Sequence, residues 1–190
     1  MSPRVSSYDA IIDAAETVVL EAGASHMTLD AVAAKAGVSK GGLLHHFPTK
    51  VALLVAMVKR QVQVHQEARK RILDDLPEGP ARELKSFILA VLYRERGRGD
   101  SLGASLSAAV AHDPRLNEPV RKVVSEFYAQ IASSGMAFER AAIIALAADG
   151  LWLQEMLSIS TFTEEQRVKI IEELLRLADE SCLPGEGERK

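Results

Sequence analysis

Apolar residues recur at intervals of three and four along nearly the whole chain, and strand-like alternation is almost absent. That period predicts an all-α protein of about nine helices. The first runs from Ser7 to Ala22, with Ile12, Ala15, Val19 and Ala22 on one face. Ser6 and Asp9, three residues apart, read as a capping box at its start, and Gly23 as its stop. A second helix follows Thr28 and ends at Gly37, with Leu29, Val32, Ala33 and Ala36 inward. A third, shorter still, follows Ser39 and reaches about His46.

From Thr49 the pattern lengthens. Leu53, Leu54, Met57, Val58, Val62 and Val64 continue without a breaker to Pro77, a helix of about seven turns. The sequence PEGP (77–80) breaks it, and a fifth helix covers Ala81 to Glu95. GRGDSLG (97–103) then interrupts the pattern and reads as a flexible joint. Asp113-Pro114 reads as a cap with Pro at the first helical position, opening a helix to about Ser134. Two further helices span about Phe138–Ile159 and Thr163–Ser181, the last opened by the capping box of Thr163 and Gln166. These elements predict a helix-turn-helix domain over 1–48, a larger helical domain over 49–183 whose first helix (49–76) links the two, and a solvated tail over 184–190.

Of the 190 residues, 47% are hydrophobic and 26% charged, the profile of a globular rather than a disordered chain. No run approaches a membrane span, and no apolar signal segment follows Met1. Cys182 is the single cysteine, which excludes an internal disulfide and suits a reducing cytoplasm. The Arg98-Gly99-Asp100 tripeptide, without an export signal, belongs to the joint. The net charge of −3 decides little about nucleic acid, because phosphate is bound by local donors and not by the whole-chain balance.

The stretch GVSKGGLLHHFPTK (37–50) carries the chemistry. A helix-turn-helix needs a small residue where its helices cross, and Ala33 supplies it. The turn needs a residue tolerant of positive φ, here Gly37. It needs an apolar anchor leaving the turn, here Val38, and then a capped second helix with an apolar inner face, here Ser39 with Leu43 and Phe47. Gly41 and Gly42 each cost a helix about 1 kcal/mol against Ala, which makes sense where a backbone must approach DNA. A recognition helix entering the major groove N-terminus first would leave base reading to Lys40, His45 and Leu44, the last against a thymine methyl. His45 and His46 project about 100° apart on a helix and form no metal pair. A nucleotide phosphate loop is excluded, since no Gly-Lys-Ser/Thr ending is present. No metal or cofactor is expected.

The segment MTLDAVAAKAGVSKGGLLHHFPTKVALL (27–54) resembles the N-terminal signature of the TetR family of transcriptional regulators. The similarity covers about Ile11 to Leu54, and LAADGLWLQEML (146–157) is similar to a stretch of some multidrug-binding TetR-like repressors. The resemblance implies phosphate contacts by Thr28, Ser39 and Lys50, and base-facing positions at Lys40, Gly41, Gly42 and His45. One departure stands out: Leu44 occupies the place of a Tyr that usually hydrogen-bonds a phosphate.

The resemblance further implies a C-terminal ligand cavity and a homodimer interface. The eighth helix is apolar nearly all round, through Ala141, Ile144, Ala145, Leu151, Leu153 and Leu157. Such a helix needs cover on several sides. The ninth, with Val168, Ile171, Leu174, Leu175 and Ala178, would complete a four-helix dimer contact. Met57, Gln61, Phe87, Tyr93, Phe127, Trp152 and Met156 are candidate pocket residues, and Asp149 or Glu155 would favour a cationic ligand. The expected protein is a cytoplasmic homodimeric repressor released from a palindromic operator by a small apolar or cationic molecule. An enzyme is not expected, because no nucleophile–base pair or metal spacing appears and the five histidines (His26, His45, His46, His65, His112) sit mostly on surface-like or DNA-facing positions. The alternative is a helical interaction module that has lost specific DNA binding.

Overall fold

The computed structural model describes residues 6–93 and 98–182, without the side chains of 98–100 and His112. Nine α-helices are present among them: α1 (Ser7–Ala22), α2 (Leu29–Ala36), α3 (Lys40–His46), α4 (Lys50–Asp75), α5 (Arg82–Leu92), α6 (Arg98–His112), α7 (Glu118–Ser133), α8 (Phe138–Met156) and α9 (Glu164–Glu180). The helix count and the all-α class match the reading of the periodicity. The caps explain the boundaries. Ser6 Oγ accepts from the Asp9 N–H, Thr28 Oγ1 from Ala31 and Ser39 Oγ from Gly42. Thr163 and Gln166 form a full reciprocal box.

Two expectations need correction. Within GRGDSLG, residues 98–103 do not interrupt the helical pattern, because α6 is already helical at Arg98 and runs through them, while Gly97 lies outside the described residues. Gly99 and Gly103 weaken the helix, but burial of Leu102 and Leu106 on the face that follows outweighs their cost. Asp113-Pro114 opens a 3-10 turn (Pro114–Asn117), not an α-helix, and α7 begins only at Glu118. Asp113 accepts from the Arg115 N–H two residues on, and that tight local bond shapes the turn. The end of the fifth predicted helix near Glu95 and the tail at 184–190 lie outside the described residues.

The chain divides into two compact units. One is formed within residues 1–63 and 96–121, the other within 64–95 and 122–190. Packing thus groups α6 and the first half of α4 with the helix-turn-helix, where the sequence places a boundary at 48/49. In the first unit α1 packs on α2 and α6. Its core contains Ile11, Ile12, Val32, Leu43, Leu53, Met57, Leu102 and Leu116. In the second unit α5 packs on α8 and α9, around Leu84, Ile88, Ile131, Ala145 and Ile171. No single helix is long and apolar enough to cross a membrane.

Candidate nucleic-acid interface and effector region

The turn between α2 and α3 closes through two backbone bonds. Gly37 N–H donates to Ala34 O at 3.3 Å, and Val38 N–H to Ala33 O at 3.1 Å. The pair satisfies the last carbonyls of α2 and requires the left-handed backbone that Gly37 adopts at φ 67°. Ser39 then caps α3, whose only buried residue is Leu43. Leu43 and the buried Phe47, four residues apart, anchor the inner face.

That anchoring leaves Lys40, Gly41, Gly42, Leu44 and His45 all exposed, together with Thr28 and Ser39 at the two helix starts. A Cβ on Gly41 would meet nothing within 4 Å, whereas one on Gly42 would crowd Ser39 Oγ at 3.3 Å. Gly42 therefore protects the cap. Gly41 has no such reason among the described residues. His46 is turned inward, its Nε2 3.0 Å from Ser7 Oγ, and the Tyr8 ring lies 4.9 Å from Phe47. These contacts dock α1 on α3 and separate the roles of the two adjacent histidines. No group of three metal-ligating side chains gathers among the described residues.

Two cations of the interface are held by their own unit. Lys40 Nζ lies 2.8 Å from Asp30 on α2. Lys50 Nζ donates to Ser25 O at 2.8 Å. Neither partner is suggested by sequence spacing; only the crossing of α2 and α3, and the return of α4 beside the α1–α2 loop, brings them together.

The residues named for an effector fall in both units. Met57 is fully buried in the first core, and Gln61 there donates to Glu16 at 3.5 Å. The rest belong to the second unit. Phe87 stacks on Phe127 with ring centroids 4.5 Å apart, and the Arg69 guanidinium sits 4.8 Å above Phe127. Arg69 also donates to Ser86 Oγ and pairs with Glu83. Trp152 packs on the same core, Met156 is half-buried, and Tyr93 is exposed.

The two acids differ. Glu155 is claimed by Arg167 at 2.5 Å, and Arg167 also donates to the Leu92 carbonyl. Asp149 has no cation paired with it among the described residues, and burial pushes its carboxyl up to about 6. Tyr128 is raised as well, first by burial and then by the Asp149 charge. Arg69 and Arg167 were not singled out in the sequence. Their charge at otherwise apolar helix positions was the available signal.

Two family profiles match the chain. "Bacterial regulatory proteins, tetR family" covers residues 11–57, and "Tetracyclin repressor-like, C-terminal domain" covers 81–179. The regulator CymR of Pseudomonas putida is 30% identical over 148 residues, covering 75% of this chain and 71% of its own. The regulator BetI of Serratia proteamaculans is 27% identical over 178 residues, covering 84% and 86%. Among solved structures, a transcriptional regulator from Rhodococcus sp. Rha1 superposes with a TM-score of 0.74 at 23% identity, over 94% of this chain and 100% of that one. The multidrug-binding protein EbrR, complexed with ethidium, superposes with a TM-score of 0.66 at 26% identity, over 90% and 98%. Both profiles fall on the two units that carry the capped helix-turn-helix and the α5–α8–α9 core, and the chain belongs to the TetR family of helix-turn-helix transcriptional regulators, a non-enzymatic class.

Proposed function

We propose that the protein is a homodimeric repressor that reads a palindromic operator with α3 and leaves it when a cationic or apolar aromatic molecule binds in the second unit. The carrying observation is the outer face of α3, where the exposed positions other than Leu44 are glycine or polar and Gly41 leaves its backbone open. Thr28 and Ser39, at helix starts, would hold phosphates together with Lys50. Lys40 and His45 would reach base edges. Leu44, exposed and without a hydroxyl, would offer a thymine methyl or a sugar an apolar contact only.

The effector reading rests on Asp149. A carboxylate that burial disfavours, with aromatic rings in its own unit, gains by meeting a cation. EbrR, bound to the planar cation ethidium, gives the same class of molecule. Dimerisation rests on α8 and its C-cap, where Ile143, Leu146, Leu153 and the capping Leu157 are exposed at heptad-like spacing. Two-fold pairing would set the recognition helices a multiple of about 34–36 Å apart. Because α4 runs from Lys50 past Met57 and Gln61 as one helix, its tilt is the suggested route from effector to DNA. Such a regulator works in the cytoplasm.

Fluorescence anisotropy at two salt concentrations tests this, with the upstream intergenic duplex against a scrambled one. Lys50→Ala should weaken both duplexes and lower the salt slope by about one. His45→Ala should erode only the preference between them. Equal affinity for both duplexes, also after selection from random sequence, would favour the interaction-module alternative.

A further inference from the structure

The first unit contains a cleft of about 540 Å³, which none of the effector residues above lines. Its volume lies within the range of about 300–1,000 Å³ typical of small-molecule sites. The cleft lies where the α1–α2 loop, the start of α4, the end of α6 and the 3-10 turn meet. Leu54, Ala109 and Leu116 give it apolar walls. Lys50 stands in the lining, with the backbone of Ser25 beside it.

Two charged residues line the cleft, Lys50 and Asp113, and they are not equally available. Both Asp113 oxygens are held by Arg115, at 2.8 and 2.7 Å, and the Arg115 N–H binds one of them as well. That carboxylate is already neutralised. Lys50 donates to one carbonyl and has no carboxylate partner among the described residues. An ammonium has three donors, so two remain for a guest. The ammonium also sits on the first residue of α4, where the helix dipole adds to its attraction for an anion. A cation would find no free counter-charge here.

We infer that this cleft is a second effector site, for an amphipathic organic monoanion such as a medium-chain or aryl carboxylate. Its carboxylate pairs with Lys50, and its apolar body lies against Leu54, Ala109 and Leu116. The consequence for regulation rests on the DNA-binding reading: an ammonium held by the guest is withdrawn from the operator phosphate, so such acids compete with DNA at the DNA-binding unit itself.

Isothermal titration of the full-length protein with octanoate, octylammonium and octan-1-ol tests the site without any DNA. Octanoate should bind, and the ammonium should not. Lys50→Met should weaken octanoate by about tenfold, the loss of one charge-assisted hydrogen bond. Ala108→Glu, at an exposed lining position that any fold tolerates better than the core, should weaken it through repulsion. Asp149→Asn, in the other unit, should leave it unchanged. Octanoate affinity unaltered by both Lys50→Met and Ala108→Glu, or octylammonium binding as tightly as octanoate, would overturn the site. In anisotropy, octanoate should lower the operator affinity of the unsubstituted protein but not of Ala108→Glu; equal loss in both would overturn the competition. Failure of either protein to bind DNA, with calorimetry intact, would strike the DNA-binding reading and leave the site standing.

Discussion

The outer faces of α3 and α8 are both exposed, and they are opposites. On α3 the exposed positions carry Lys, Gly, Gly, Leu and His, and Leu43 is the one residue of the helix that is buried. On α8 five residues are buried, yet Ile143 and Leu146 on another side are 65% and 61% exposed. A face of the first kind is at ease in water and suits a partner that comes and goes, bound through charge and backbone. A face of the second kind is stable in water only at a hydrophobic cost, about 25 cal/mol for each Å² left uncovered. It suits a permanent partner, and a second copy of the same face is the simplest one.

The largest effect should come from the apolar face. Replacing both Ile143 and Leu146 with Glu should weaken self-association by about 3 kcal/mol or more, read as a monomer by sedimentation with helicity unchanged. A dimer that persists would break the contrast between the two faces. Of similar size is the cost of breaking the charge pair between α8 and α9. Arg167 and Glu155 have side chains 11% and 14% exposed, so Arg167→Met should destabilise the protein by about 3 kcal/mol in urea unfolding. It leaves Glu155 without its cation.

Asp149 offers a smaller and pH-dependent test. Its folded pKa of about 6 lies above its ordinary 3.8, so the folded state holds the proton more tightly. Stability from this group is complete below about pH 4, falls as the pH rises through 6 and is then flat. Asp149→Asn should therefore add about 1–2 kcal/mol at pH 7.5, after allowance for solvent screening, and nearly nothing at pH 3.5. Thermal melts at the two pH values read the difference. The smallest stability change belongs to the α3 face and is the most discriminating. Gly41→Ala meets no atom within 4 Å and should raise stability by about 0.5–1 kcal/mol, while operator affinity falls. A gain in both would show that Gly41 is not kept bare for DNA.

Legibility differed between the same two regions. Thr28, Gly37, Ser39, Leu43 and Phe47 act over two to four residues, so their roles can be read from spacing. The break expected at GRGDSLG failed for the opposite reason: its local glycine signal was outweighed by burial of Leu102 and Leu106 in a core assembled from α1 and α4. The candidate acids could not be told apart in sequence either. Glu155 is matched by a side chain twelve residues on, which also reaches a carbonyl 75 residues back.

Helix content, the capped turn and the family signature were therefore determined by the order of residues alone, since caps, glycine conformations and 3.6-residue periodicity are short-range effects. Packing decided the rest. It buried Met57 in the first core, turned His46 inward to Ser7, left Asp149 without a cation among the described residues and set Lys50 in the lining of a cleft that α6 helps to form. Each outcome depends on which distant helix arrives beside the residue, and that is fixed by the joint burial of many apolar faces rather than by any neighbour in the chain.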